Sequence, residues 1–121
     1  GGHTVHHYNL KKLTAGMVAQ EMHLSAGMIE DQLGRRPQHF AYPYGSAKAA
    51  GRREADIAAS EGFLSAVTTR HGTIHTEHSN NLHALPRISI NGRFQKLVYA
   101  KTMMSGVTTP IANAGRRVIQ A

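Results

Sequence analysis

Two histidines near the amino end of the sequence are spaced so that they could share one metal ion. His3 and His7 stand four residues apart, and on a helical turn that spacing places both imidazoles on one face. Neutral imidazoles bind zinc, nickel, cobalt or iron. The set is incomplete as a metal site, because no carboxylate precedes the pair. The competing interpretation is two solvent-exposed histidines, and His6 between them is read as a spacer.

A second segment offers groups that could stabilise negative charge. The run Phe-Ala-Tyr-Pro-Tyr-Gly occupies residues 40–45, and an apolar strand ending in a Pro-Tyr-Gly turn can hold backbone N–H groups open toward a ligand. With the histidine pair, this turn predicts a hydrolytic site in which Tyr42, Pro43 and Tyr44 bind substrate. An aromatic face could line a substrate cleft, but packing of both tyrosines against the fold explains them equally well.

Four further histidines cluster in a polar stretch. His71, His75, His78 and His83 follow one another at spacings of four, three and five residues. Such spacings could mimic a metal site. A loop of solvated histidines is the interpretation that we favour.

Composition limits the classes of protein that this chain can be. Its 121 residues suffice for one domain with a modest core. The absence of cysteine excludes disulfides and thiolate metal sites, and no apolar run is long enough to span a bilayer. The net charge of +7 favours anionic partners. Because the basic residues are scattered as pairs without interleaved aromatic residues, we expect a solvated basic surface and no nucleic acid partner.

The elements that must position these residues alternate between helix and strand. Thr14 is a suitable N-cap for a helix that Gly34 ends. This helix carries an apolar stripe at steps of three and four residues, formed by Met17, Val18, Met22, Leu24, Met28, Ile29 and Leu33. Its methionines, and Met103 and Met104 further on, are expected in the core.

The rest of the chain predicts short strands between helices. We expect strands at 39–42, 63–68 and 85–90, a helix capped by Ser46 that runs to Ser60, a polar loop over 70–82, a turn at Asn91-Gly92 and a third helix at 94–104. Strands that alternate with helices over short connections indicate parallel β-α-β units. The sequence therefore predicts an α/β fold with parallel strands.

The order of these motifs resembles the later portion of the polysaccharide deacetylases, the family-four carbohydrate esterases with a NodB-homology domain. The residues that carry the resemblance are His3-Thr4-Val5-His6-His7, Leu33-Gly34, residues 40–45, Gly62-Phe63, residues 66–69 and Leu85-Pro86-Arg87-Ile88. The resemblance implies a partial domain over residues 1–105, followed by a tail at 106–121. It also implies a distorted (β/α) barrel, of which this chain would form a part.

The resemblance also implies roles for individual residues. The metal, usually zinc, is held in the family by one Asp and two His, and His3 and His7 match the two His of a His-Ser/Thr-x-x-His motif. Thr4 matches the Ser/Thr position of this motif, and its side chain would bond across to the next loop or serve as a plain cap. The Tyr44 backbone N–H matches a group that helps to hold the oxyanion.

Several family features are missing from this sequence. The motif that carries the metal-binding and catalytic Asp residues is absent, and Ala41 stands where many members have an Arg that orients the catalytic Asp. The chain has no Trp, and residues 85–88 lack the His that acts as general acid. Arg87, at the end of a predicted strand, is the remaining candidate for a site role.

The resemblance implies a metal-dependent hydrolase that removes acetyl groups from N-acetylated, or less often O-acetylated, polysaccharide. We expect this chain to be inactive alone, with its aspartates supplied by an upstream segment or another chain, and to pair with that segment or with itself. The alternative is a non-catalytic relative that binds carbohydrate or metal. A cell-envelope, periplasmic or secreted location would suit the family.

Overall fold

A computed structural model describes the backbone of residues 1–120 and the side chains of residues 1–114. It contains four α-helices and two short β-strands. In chain order these are α1 (Ala15–Leu33), β1 (His39–Ala41), α2 (Arg52–Ser60), β2 (Ser65–Val67), α3 (Leu97–Met104) and α4 (Thr109–Gln120). Single turns of 3₁₀ helix lie at Leu10–Lys12, Thr76–Asn80 and Leu82–Ala84. Among residues 1–120, no helix is both long and apolar enough to cross a membrane.

Helix α1 begins and ends where local signals predict. The Thr14 hydroxyl accepts a hydrogen bond from the Met17 N–H at 3.3 Å, and Gly34 ends the helix in left-handed backbone at φ 68°. Both boundary predictions are confirmed. They succeed because each depends on a neighbour only a few residues away in the chain.

The buried face of α1 is narrower than its apolar composition suggests. Val18, Met22 and Ala26 are fully buried, whereas Met17 and Met28 are 47% and 58% exposed. Because successive residues of a helix are about 100° apart, the two exposed methionines lie beside the buried stripe rather than on it. The prediction that all the methionines of α1 lie in the core is therefore wrong. It is also wrong for Met104, which is 68% exposed on α3.

A parallel β-α-β unit forms the centre of the fold. Strands β1 and β2 pair in parallel, with Phe40 opposite Ala66. Single parallel bridges extend this pair, from Gly2 to Phe40 on one edge and from Leu85 to Val67 on the other. The predicted mixture of helices and parallel strands is confirmed, and the barrel as a whole remains a prediction.

Three predicted elements differ from the structure. The predicted strand at 85–90 is reduced to the bridge at Leu85, because the next N–H on that side, the one of Arg87, donates to the Arg70 carbonyl at 2.9 Å, beyond the end of β2. The second helix starts at Arg52 rather than after Ser46, since the Ser46 carbonyl closes a separate turn by accepting from the N–H groups of Ala49 and Ala50 at 2.9 Å. Helix α4 occupies most of the region predicted as a tail, and Ala121 lies outside the described residues.

Aromatic rings fill the space beneath the strands. Phe40 lies 5.1 Å from Phe63 and 5.4 Å from Tyr42, measured between ring centroids, and all three side chains are buried. Gly2 packs directly on this group, because a Cβ at its position would lie 2.9 Å from Phe40 Cδ2. The close approach of a glycine thus brings the amino-terminal segment, and His3 with it, onto the edge of β1.

Candidate active site

The two imidazoles singled out by their spacing lie side by side. The ring centroids of His3 and His7 are 4.8 Å apart, and the ring planes meet at 64°. They meet across a loop rather than on a helical turn, because Thr4 and His7 both have left-handed backbone, at φ 64° and 56°. The Thr4 hydroxyl accepts from the His7 N–H at 3.0 Å. The cap-like role of Thr4, rather than a bond to the next loop, is therefore what the structure shows.

One hydrogen bond fixes which nitrogen of His3 is available. His3 Nδ1 lies 2.6 Å from the Ala41 carbonyl oxygen. Because a carbonyl oxygen can only accept, Nδ1 carries the proton, and the lone pair of the neutral ring is on Nε2. Metal-bound histidines commonly donate their second nitrogen to a carbonyl in this way. Two imidazoles of this kind fit a divalent ion that prefers nitrogen ligands, and metal binding by His3 and His7 stays a prediction.

The Pro-Tyr-Gly turn packs against the histidine pair. The Tyr44 ring lies 4.9 Å from the His7 ring, measured between centroids. The Gly45 N–H donates to the Pro43 carbonyl at 2.7 Å, which places Tyr44 at the centre of a tight turn with φ 61°. Among the described residues, no group accepts a hydrogen bond from the Tyr44 N–H.

Thr69 holds the far side of this turn. Its hydroxyl donates to the Tyr44 carbonyl at 2.8 Å, and its N–H donates to the Gly45 carbonyl at 3.0 Å. Gly45 has left-handed backbone at φ 59°, and a Cβ on it would come within 2.6 Å of the Thr69 nitrogen. A residue other than glycine would therefore push the turn away from β2.

The residues that precede Tyr44 belong to the core. Tyr42 is 2% exposed, its hydroxyl donates to the His83 carbonyl at 2.6 Å, and Pro43 is also fully buried. Burial raises the pKa of Tyr42, and the negative charge of Glu54 raises it further. The side chains of Tyr42 and Pro43 therefore support the turn, as the packing interpretation expects, and substrate binding by these two residues stays a prediction. The Tyr44 ring is 60% exposed and remains the aromatic candidate for that role.

Arg87 lies on the opposite edge of the sheet from the histidine pair. Its backbone N–H donates to the Arg70 carbonyl at 2.9 Å, and its side chain is exposed. It follows Leu85, which pairs with β2, whereas His3 follows Gly2, which pairs with β1. A site role for Arg87 stays a prediction.

A buried carboxylate beneath the histidine loop was missed by the sequence reasoning. Glu21 Oε2 accepts from the N–H groups of Val5 at 2.9 Å and His6 at 3.0 Å, and Oε1 accepts from His6 Nδ1 at 2.6 Å. Burial alone would raise the pKa of Glu21, but the hydrogen bonds from His6 and Val5 outweigh it and hold the pKa below its ordinary value. The only signal in the sequence is a glutamate between Val18 and Met22, within the buried stripe of α1.

Three histidines of the second cluster, His71, His75 and His78, line a cavity of about 670 Å³ next to the Tyr44 turn, whereas the His83 ring bonds to the Phe63 carbonyl at 2.6 Å. His75 and His78 stack with ring centroids 6.0 Å apart, and His71 bonds to the Thr108 hydroxyl at 3.1 Å. Within the described part of the chain, no three histidine or acidic side chains are placed to hold one metal ion. Neither the second cluster nor the His3–His7 pair therefore has a third such ligand among the described residues.

Comparisons with known proteins identify the family of this chain. The sequence model of the polysaccharide deacetylase family matches residues 1–63. The chain belongs to the polysaccharide deacetylase family, which confirms the resemblance based on the order of its motifs. No curated protein sequence matches the chain.

Two solved structures are similar to this chain. The Streptococcus pyogenes deacetylase PplD, solved in complex with acetate, is 28% identical with a TM-score of 0.73, over 84% of this chain and 42% of that protein. IcaB from Ammonifex degensii is 19% identical with a TM-score of 0.55, over 74% of this chain and 36% of that protein, and that likeness concerns the fold. The chain thus spans less than half the length of either structure.

Proposed function

We propose that this chain supplies one part of the active site of a metal-dependent polysaccharide deacetylase. The observation that carries the proposal is the contact of three groups: the His3 ring lies 4.8 Å from the His7 ring, and the His7 ring lies 4.9 Å from Tyr44. Deacetylation of an N-acetylated sugar requires activation of water and stabilisation of the negative charge on the carbonyl oxygen. The histidine pair and the turn offer one group for each requirement.

His3 and His7 would hold the divalent ion, most simply zinc. In the neutral ring, the Nδ1 bond from His3 to the Ala41 carbonyl leaves the lone pair on Nε2, and this is the nitrogen with which the ring would bind a metal. The bound ion would supply Lewis acidity toward the acetyl carbonyl and the attacking water. The chain's own task here is to keep two imidazoles at a fixed separation.

The Tyr44 N–H would stabilise the oxyanion. The turn around Tyr44 is held by the Gly45 bond to Pro43 and by the two bonds from Thr69, so the N–H is oriented before substrate arrives. A donor that is already in place stabilises the transition state without reorganisation, and removal of one such donor typically costs about 2.7–4 kcal/mol. The exposed Tyr44 ring would rest against a sugar ring of the polymer.

The base and the third protein ligand would come from outside these 121 residues. Glu21, a carboxylate in contact with the histidine loop, already accepts three hydrogen bonds from Val5 and His6. It is therefore occupied as an anchor and is poorly placed to accept a proton from water. The family's Asp-Asp motif, provided by a further segment or a second chain, would complete the site.

The substrate would be an acetylated polysaccharide. The cavity beside the turn is lined by Ser46, Thr69 and Arg70 among other polar residues, and its volume of about 670 Å³ is in the usual range of ligand sites. The net charge of +7 would favour a polymer with acidic groups.

Release of acetate from an N-acetylglucosamine oligomer in the presence of zinc tests the proposal. We expect release by the chain joined to a segment that carries the family's aspartates, loss of release in His3→Ala and His7→Ala, and little or no release by the 121-residue chain alone. His23→Ala is the control, because His23 lies on α1 and bonds to Glu61 instead of the site. Release that survives both substitutions and removal of the metal would refute the proposal. Oligomer binding without turnover, unchanged in both variants, would favour the non-catalytic alternative.

A further inference from the structure

The loop between the two histidines is hydrogen-bonded to α1 through the side chain of Glu21. Val5 and His6 stand between His3 and His7, and their N–H groups both donate to Glu21 Oε2, at 2.9 and 3.0 Å. The His6 ring adds a third bond, from Nδ1 to Glu21 Oε1, at 2.6 Å. All three donors thus converge on one carboxylate, and together they occupy both of its oxygens.

The carboxylate itself is rigidly held. Only 10% of the Glu21 side chain is exposed, and it projects from the part of α1 that the fully buried Val18 and Met22 fix to the core. Helix α1 is also capped at both ends, by Thr14 and by Gly34. The position of Glu21 is therefore determined by the core and not by the loop.

The loop needs such an anchor because its own backbone is strained. Thr4 and His7 both have positive φ, a conformation that side-chain-bearing residues adopt only where the surroundings impose it. Without Glu21, the N–H groups of Val5 and His6 would turn toward water, and the two left-handed residues could relax. The distance between the two imidazoles depends on both of those residues.

We infer that Glu21 is a positioning residue, which anchors the Val5–His6 backbone and thereby sets the separation of the His3 and His7 imidazoles for metal binding. This inference rests on the proposed function, in which His3 and His7 are the ligands. Glu21 acts through the loop and does not itself contact the ion. The chemistry requires a carboxylate, since three donors point at it and an amide would turn its NH₂ group toward one of them.

Zinc affinity, measured by competition with a chelating dye, tests the inference. We expect Glu21→Ala to weaken zinc binding by about 10–100-fold, the usual effect of losing a group that orients a metal ligand. The zinc affinity of Glu21→Gln should lie between those of Glu21→Ala and the wild type. The visible absorption of the Co²⁺-loaded protein should change in the same order. Glu30→Ala is the matched control, because Glu30 lies on the same helix and pairs only with Arg36, at 3.3 Å.

A second measurement keeps the test valid if Glu21→Ala fails to fold. In the metal-free protein, the ¹⁵N resonances of His3 and His7 report on the imidazole tautomers. We expect Glu21→Gln, with helix content and cooperative unfolding retained, to lose the fixed Nδ1–H tautomer of His3. A folded Glu21→Gln with wild-type zinc affinity and unchanged histidine resonances would overturn the inference.

Failure of the positioning role of Glu21 can be distinguished from failure of the proposed function. If His3→Ala and His7→Ala abolish zinc binding while both Glu21 variants bind as tightly as the wild type, the positioning role is wrong and the proposed function stands. If His3→Ala and His7→Ala leave zinc affinity unchanged, the proposed function fails, and with it the inference.

Discussion

Non-glycine residues with left-handed backbone are concentrated at the candidate site. In the described part of the chain, three such residues occur, Thr4, His7 and Tyr44, and all three belong to the histidine loop or the Pro-Tyr-Gly turn. Each costs on the order of 1–3 kcal/mol and persists only where neighbouring contacts impose it. Those contacts are the Glu21 carboxylate for the loop and Thr69 for the turn. The strain accompanies the geometry on which the proposed chemistry depends.

Tyr42 supports the turn from below, and its removal should be measurable. Tyr42→Phe loses the hydrogen bond to the His83 carbonyl and should lower the free energy of unfolding by about 1 kcal/mol at neutral pH. Because burial and the charge of Glu54 raise the pKa of Tyr42, the wild type should lose this stability as the pH rises above about 10, where the unfolded chain ionises. Urea unfolding at several pH values would show the difference between wild type and variant shrinking at high pH. A constant difference, or an equal effect of Tyr8→Phe at the half-exposed Tyr8, would contradict this account.

At the scale of elements, the site residues follow the carboxyl ends of neighbouring parallel segments. His3 follows the Gly2 bridge, Tyr44 follows β1, and Thr69 follows β2. Parallel segments end at the same edge of a sheet, which is where open α/β sheets bind their ligands. The order of these segments therefore explains why residues far apart in sequence meet at one place.

Two glycines provide a matched test of the turn. Gly45→Ala places a Cβ 2.6 Å from the Thr69 nitrogen at φ 59°, and we expect it to destabilise the protein by at least about 1–2 kcal/mol and to lower acetate release. Gly27→Ala, in α1 with no atom within 4 Å of the new Cβ, should instead stabilise the protein by about 0.5–1 kcal/mol. Thermal unfolding of both variants is the measurement. Equal and small effects would mean that the turn tolerates displacement.

The predictions from sequence succeeded where the signal is local. The ends of α1 depend on Thr14 and Gly34, and each acts within a few residues. The exposure of Met17 and Met28 depends on which elements cover α1, and the loss of the strand after Leu85 depends on pairing across the sheet, so neither could be predicted. The meeting of His3 and His7 was predicted from their spacing, although through the wrong local structure. Glu21 was missed because its role exists only once the loop reaches α1.

At the scale of the whole molecule, much apolar surface is exposed. Leu97, Val98, Met104 and Ile111 on α3 and α4 are each at least 60% exposed, and the chain spans 42% of PplD and 36% of IcaB. Exposed apolar side chains of this extent favour association. We propose that a further deacetylase segment, or a second copy of the chain, covers this surface. A partner segment that carries the family's aspartates would both cover this apolar surface and complete the metal site.

X-ray absorption at the zinc edge of the zinc-loaded protein tests the central claim most directly. If His3 and His7 hold the ion, the spectrum should show two imidazole ligands with Zn–N distances of about 2.0–2.1 Å. One imidazole should disappear in His3→Ala and one in His7→Ala, while His23→Ala retains both. A spectrum without imidazole scattering, or one that neither His3→Ala nor His7→Ala alters, would contradict the account.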